Sequence, residues 1–420
     1  MNYGSVRGMN DILPDEVPYW EQLEESVREV ARRFNYSQIR VPIVEHTELF
    51  SRGIGAGTDL VNKEMYTFAD KKGRSLTLRP EATASVVRSY VEHGLHTKRP
   101  FQKLFYIGPM FRYEKPQKGR SRQFHQFGVE AIGSLDPALD AEVIDFAWQM
   151  MELLGLSGLS LRLNSIGCAK DRTRYRSVLR EHFANRIDSM CSECQRRYEE
   201  NPLRILDCKN EQCQPHIEDA PGSGDHLCTE CADHFSQVKS CLDRLGLSYT
   251  VDPRLVRGLD YYTRTVFELI SEDLGAQDSL LGGGRYDDLA EMLGGPPTPA
   301  VGFAAGMERL IIVLREQSDQ PECERRLDLF LVTLGDEGRS LALNLAKGLR
   351  SRGLSVDLDY QGRPLRKQMA EANRLYARSL LVIGDDEVAS RLGRLKDMDS
   401  GEETEVELTE RAITAAMARR

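Results

Sequence analysis

Residues 104–130, LFYIGPMFRYEKPQKGRSRQFHQFGVE, concentrate the groups best able to do chemistry. The stretch alternates with a period of two, which sends neighbouring side chains to opposite faces of a sheet. One face would carry Phe111 and Tyr113, then His125, Phe127 and Val129, and is apolar enough for a core. The other would carry Arg112 and Glu114, then Phe124, Gln126, Gly128 and Glu130. Charges of both signs, an aromatic ring and a glycine suit the floor of a site. The connecting KPQKGR adds Lys115, Lys118 and Arg120, with Pro116 and Gly119 as turn residues. Cations reaching over a charged floor suit a polyanionic ligand such as a nucleotide. The plainer alternative is a solvated basic hairpin.

Three further constellations could share that site. LTLRPEAT at 76–83 predicts a strand ending at Pro80 and a helix starting near Thr83. There Glu81 and Thr83 offer a carboxylate and a hydroxyl to an ammonium group, or simply cap the helix. LVRGLDYYTRTVFE at 255–268 is followed by GGGRYD at 282–287. A strand over 261–269 would present tyrosine hydroxyls to a polar ring, and consecutive glycines let backbone approach a ligand closely. Alone, those glycines would mark only a tight turn. In PAVGFAAGMERL at 299–310, Gly302, Ala304 and Gly306 alternate and leave one strand face open. Arg309 beside a helix start makes an anion site, or the small residues make a packing seam.

Together these motifs resemble the class II aminoacyl-tRNA synthetases. FRYE followed by RSRQF is similar to motif 2 of that class. The resemblance implies that Arg112 holds the α-phosphate of ATP, Glu114 lies near the adenine and its metal, and Phe124 stacks on the adenine. The 299–310 segment resembles motif 3, which implies Arg309 on the γ-phosphate. A helix, a strand and Pro42 in succession resemble motif 1, the dimer interface of the class. RGLDYYTRTVFE with GGGRYD resembles the signature motifs of the histidyl-tRNA synthetase family.

That resemblance implies activation of L-histidine by ATP, then transfer to the terminal adenosine of tRNA(His). Gln126, Glu130, Arg257, Tyr261, Tyr262 and Tyr286 would surround the histidine, with Glu81 and Thr83 near its amino group. Arg257 would join Arg112 in stabilising charge at the α-phosphate, and Mg²⁺ would neutralise the leaving pyrophosphate. Lys115, Lys118, Arg120 and Arg122 would meet the acceptor end of the tRNA, and the protein would be a homodimer. The alternative is a non-catalytic relative serving as regulatory subunit of ATP phosphoribosyltransferase. Such relatives share the catalytic-domain fold but typically lack the C-terminal domain and erode these motifs.

The implied fold is an α+β catalytic domain on a mainly antiparallel sheet, spanning 1–165 and 250–320. A helical, cysteine-rich insertion at 166–249 interrupts it, and a C-terminal α/β anticodon-binding domain follows at 325–420. The chain's own patterns fit. Trp20, Leu23, Val27, Val30, Ala31 and Phe34 form one helical stripe over 14–34, and Asn35 is placed to end it. Residues 38–41 predict a short strand and 138–154 a helix. Residues 318–324 predict a polar linker. Beyond it, 327–383 read βαβαβ, the order of a small, largely parallel sheet.

At 420 residues the chain is long enough for two or three domains. A net charge of −9 argues against indiscriminate nucleic-acid binding, while local basic patches leave RNA open. No apolar run approaches the ~20 residues of a membrane helix, and the first residues lack a signal-peptide core, so a cytoplasmic protein is expected. Nine cysteines then suggest free thiols or metal ligands before disulfides. The pairs Cys191/Cys194 and Cys228/Cys231 fit a tetrahedral structural zinc site. Cys208, Cys213, His216 and His226 lie between the two pairs and leave the ligand set open. The alternative is a thiol-rich insertion without metal. Zinc is not a general feature of the resembled family.

Overall fold

The computed structural model describes residues 3–55, 58–271, 279–317 and 327–418. The expected linker at 318–324 lies outside them. The chain divides into two compact units, Met1–Pro321 and Glu322–Arg420.

The first unit is built on an eight-stranded sheet. Its spatial order is Ser37–Gln38, Gln102–Phe111, Gln123–Ile132, Ala300–Gly306, Ser279–Arg285, Thr263–Ser271, Leu159–Ser165, Thr250–Val251. The inner pairings are antiparallel, and only the two short edge strands run parallel to their neighbours. Period-two alternation gives the sheet two different faces. Phe127, Val129, Phe267 and Phe303 turn to one, where the helices Val17–Arg33 and Pro137–Leu153 cover them. The first helix buries Leu23, Val27, Val30 and Ala31 completely, the stripe expected from the sequence. Each large apolar side chain so buried contributes about 1.5–3 kcal/mol. The helix ends before Asn35, whose φ of 60° is left-handed. Asp136 caps the second helix by accepting from the Ala138 amide at 2.9 Å. The other face carries Tyr106, Tyr262 and Tyr286 beside the helices Thr47–Ile54 and Thr83–Glu92, and it is the face that opens into a cavity.

The long hairpin departs from the alternation in one place. Its strands stop at Phe111 and resume at Gln123, so Arg112, Tyr113 and Glu114 belong to the loop. Tyr113, expected on the core face, is 53% exposed and lies under the Arg122 guanidinium at 3.8 Å. The reason is backbone pairing outside the hairpin. The Tyr113 amide donates to the Glu64 carbonyl (2.7 Å), and the Arg122 amide donates to the Gly8 carbonyl (2.6 Å).

Between Leu159–Ser165 and Thr250–Val251 the chain forms three main helices, Ala169–Phe183, Ser192–Glu200 and Thr229–Leu245. The first two enclose a small core of their own around Tyr175, Leu179, Phe183 and Ile205. The third packs Phe235, Val238 and Leu242 into the main core. Asp59 ties the second helix down through Arg196 (2.6 Å) and Arg197 (2.9 Å).

The second unit holds a five-stranded sheet in the order Val356–Leu358, Leu329–Thr333, Ser379–Ile383, Leu392–Asp397, Glu403–Glu407. The first three strands are parallel, as the βαβαβ pattern requires, and an antiparallel hairpin completes the sheet. The short helix Asp385–Ser390 lies beyond the βαβαβ pattern; its signal is an acidic first turn in which Glu387 accepts from the Gly384 amide at 2.8 Å.

Candidate active site

The cavity has a volume of about 610 Å³, and its floor is the four central strands of the large sheet. Small residues make it possible. Gly302 and Ala304 alternate along one strand, and Gly282 faces Glu268 on its neighbour. A β-carbon at Gly302 would collide with the Glu130 carboxylate, and one at Gly282 with the Arg257 guanidinium.

At one end sits Glu130, which is 1% exposed. It accepts from Thr83 Oγ1 at 2.7 Å and, on its other oxygen, from the Tyr286 hydroxyl. Burial raises its pKa to about 8 against the pull of those two donors. A proton therefore rests on Glu130 at neutral pH in the free protein. Glu81, also buried, accepts from the Thr83 and Ala84 amides at 2.6 and 3.0 Å. It thus caps the helix Thr83–Glu92 and lines the cavity at once, so the two roles weighed for it coincide. Tyr261 and Tyr262, just before their strand, pack ring on ring at 4.8 Å. Gln126 Oε1 and Arg257 Nε are buried with no hydrogen-bond partner among the described residues. An unpaired buried acceptor and donor in a cavity mark where a ligand would be held.

The other end is cationic. Arg112 donates to the Pro80 carbonyl (2.9 Å) and lies over the Phe124 ring at 5.1 Å. Glu114 accepts from Arg120 at 2.8 Å. Arg309 reaches the carbonyls of Gly119 (3.3 Å) and Ser279 (2.5 Å). Burial, and then the neighbouring Arg120 charge, pulls the Arg309 pKa down, with Arg112 adding to it. Three guanidinium groups that disfavour one another are poised for an anion that relieves them. Between the two ends Arg257 donates to Glu268 at 2.6 Å. Burial opposes both charges, yet the pair wins: Glu268 is lowered and Arg257 raised.

Every residue the resemblance placed near ATP or histidine lines this one cavity. The four basic residues assigned to the tRNA acceptor end do not stay together. Lys115 and Lys118 are exposed on the loop, and Lys118 pairs with Glu316 at 2.6 Å. Arg120 turns into the cavity, while Arg122 is spent on Tyr113. Glu268, the last residue of RGLDYYTRTVFE, and Arg204 also line the cavity, and the motifs assigned neither a role. Arg204 donates to the Arg257 carbonyl at 3.0 Å across a gap of fifty-three residues, a contact with no local signal.

The cysteine pairs need a correction. Cys191/Cys194 and Cys228/Cys231 do not converge on one site. Cys191 and Cys194 gather with Cys208 and Cys213, whereas Cys228 and Cys231 gather with Cys168 and Asp171. The pairs begin different helices, Ser192–Glu200 and Thr229–Leu245, which pack into different cores.

With this geometry in place, comparison with known proteins is decisive. The family profile described as "Histidyl-tRNA synthetase" matches residues 8–310. The chain belongs to the histidyl-tRNA synthetase family. A second profile, "Anticodon binding domain", matches 328–413. Among curated members of the family, "Histidine–tRNA ligase" of Desulforamulus reducens is 50% identical over 404 residues, covering 96% of each chain. The same-named protein of Halothermothrix orenii is 49% identical over 408 residues, covering 97% of each. The crystal structure of apo S. aureus histidyl-tRNA synthetase superposes with a TM-score of 0.82 at 41% identity, covering 100% of this chain and 99% of that one. A structure titled as an ATP phosphoribosyltransferase regulatory subunit/histidyl-tRNA synthetase from Bacillus halodurans C, 22% identical with a TM-score of 0.67, shares the fold.

Proposed function

We propose that the protein is a histidine–tRNA ligase. The observation that carries this is the composition of the cavity. A buried Glu130–Thr83–Tyr286 cluster fit for an imidazole shares one floor with the arginines Arg112, Arg257 and Arg309. In the first step the histidine carboxylate attacks the α-phosphorus of ATP, the bond to pyrophosphate breaks, and histidyl-adenylate forms. Arg112 and Arg257 hold the charge that gathers on the α-phosphoryl oxygens, and Arg309 with Arg120 holds the outer phosphates. Phe124, beneath Arg112, offers its ring to the adenine. Mg²⁺ would supply further charge neutralisation on the phosphates, and the cavity carboxylates Glu114 and Glu268 are of the type that holds it. In the second step a hydroxyl of the 3′-terminal adenosine attacks the acyl carbon and AMP leaves.

Selection rests on Glu130. A ligand without ring nitrogens gives the Glu130 carboxyl no partner beyond Thr83 and Tyr286 and leaves Gln126 Oε1 unpaired, which is costly enough to discriminate without an editing site. Lys115 and Lys118 are exposed where an acceptor stem would arrive, and the second unit would read unpaired anticodon bases. A homodimer is supported by Pro42, Ile43, Val44 and Phe68, an exposed and largely apolar strip on or beside the motif 1 segment. Paired cysteines support a structural Zn²⁺ in the insertion. Among the described residues no helix is long and apolar enough to cross a membrane, which accords with a cytoplasmic location.

The test is charging of a tRNA(His) transcript with labelled histidine by the purified protein. Accumulation of histidyl-tRNA is the expected result. A folded protein that charges nothing but activates an ATP phosphoribosyltransferase would establish the regulatory alternative.

A further inference from the structure

The two cysteine clusters share a geometry that the sequence pairs concealed. In each, four ligand atoms lie within 4.8 Å of one another. Cys191 and Cys228 each stand at the N-cap of a helix, with Cys194 and Cys231 in the first turn. Cys168 is likewise the N-cap of Ala169–Phe183, with Asp171 in its first turn. Cys-x-x-Asp thus repeats the Cys-x-x-Cys spacing with one ligand changed. The Cys228 pair meets the Cys168 pair as two helix N-termini face to face, where the positive helix ends favour anionic ligands. Cys191 and Cys194 meet Cys208 and Cys213 instead, from a six-residue turn.

We propose that the chain carries two separate structural Zn²⁺ sites, one ligated by Cys191, Cys194, Cys208 and Cys213, the other by Cys168, Asp171, Cys228 and Cys231. Cys191 Sγ and Cys208 Sγ are 3.9 Å apart. The sulfur–sulfur edge of a zinc tetrahedron with bonds of about 2.3 Å is about 3.8 Å. Backbone donors already point at the sulfurs: Cys191 N–H to Cys213 Sγ at 3.3 Å, and Asn210 N–H to Cys208 Sγ at 3.5 Å. Such donors stabilise thiolate charge around a metal. Asp171 is oriented in the same way, accepting from the Cys228 amide at 3.0 Å and the Cys168 amide at 3.3 Å. Four ligands in each set leave no open position, so both ions are structural. Soft thiolates in tetrahedral array select zinc over magnesium or calcium.

The sites hold different things. The four-cysteine site borders the turn Pro202–Asp207, whose Arg204 steadies the Arg257 carbonyl. The three-cysteine site clamps the root of the insertion, joining its exit after Leu159–Ser165 to the helix that returns to the main core.

The experiment is metal analysis of the full-length protein, expressed with zinc and passed over a chelating resin, with X-ray absorption at the zinc edge. Two zinc ions per chain are expected, with an average shell of seven sulfurs and one light atom per pair of ions. Cys208→Ser with Cys213→Ser is expected to lose one ion, and Cys228→Ser with Cys231→Ser the other. One ion or none in the unmutated protein, or iron in place of zinc, overturns the proposal. So does an all-sulfur shell, which would remove Asp171 from the ligand set. Metal content is read without any aminoacyl transfer, so its failure and that of the ligase reading are separate results.

Discussion

Arg257 lies across Gly282, so that a single β-carbon at that glycine would collide with the guanidinium group and force it to move from the place where it pairs with Glu268 at 2.6 Å. The two residues come from different segments, and the side chain of one occupies the space the other lacks. Gly282→Ala is therefore expected to leave the fold intact but cut histidyl-adenylate formation about 100-fold, the usual cost of misplacing a catalytic group by ~1 Å. Arg257→Ala is expected to lower the same rate with only a modest change in ATP affinity. Single-turnover rates near normal in either variant contradict the assignment of Arg257.

Histidine binding should depend on pH through Glu130. Its pKa of about 8 keeps it protonated in the free protein below that value. Free histidine loses its imidazolium proton above roughly pH 6.5. A complex in which ring and carboxyl share one extra proton forms without proton exchange only between these values. Below them a proton must be released on binding, and above them one must be taken up, so affinity peaks between them and falls on both sides. Calorimetric titration across the range checks this. Glu130→Gln is expected to remove the alkaline limb and to weaken histidine far more than ATP. An alkaline limb that survives, or equal losses in the two Kd values, counts against it.

Arg120 and Lys118 belong to one loop but face different partners. Arg120→Ala is expected to raise KM for ATP about tenfold, near 1.4 kcal/mol, and to leave KM for tRNA unchanged. Lys115→Ala with Lys118→Ala is expected to raise KM for tRNA and flatten its salt dependence. Steady-state kinetics with each substrate varied separates the two, and the reverse pattern refutes the division.

Arg285, the arginine of GGGRYD, is wholly buried and paired with the wholly buried Asp140 at 2.7 Å. Asp140→Ala removes the nearer of the guanidinium's two carboxylate partners and leaves Asp287 at 3.1 Å with the carbonyls of Ser134 and Asp136, at an expected cost of about 3 kcal/mol, the low end for breaking a buried pair. Urea unfolding measures it. A loss as small as that of a surface pair, ~1 kcal/mol or less, would show that the pair does not hold the fold.

The residues with local signatures were legible in the sequence. Period-two alternation placed Gln126 and Glu130 opposite Phe127 and Val129, and the small residues Gly302 and Ala304 announced an open strand face. What failed to show depends on contacts distant in sequence. Tyr113 was drawn out of the hairpin by Glu64, and Arg120 was turned inward by Glu114. Two identical Cys-x-x-Cys spacings suggested a shared ion, because spacing records which residues begin a helix but not which helices meet. Asp171 carries the same spacing with a different ligand atom, so a search for cysteine pairs passes over it.

The central claim is that one cavity binds ATP and selects histidine. Amino-acid-dependent exchange of pyrophosphate into ATP, run with each of the twenty amino acids, tests it most directly. Exchange with histidine alone is the result this account predicts. Exchange with another amino acid, or none from a folded sample holding ATP, would contradict it.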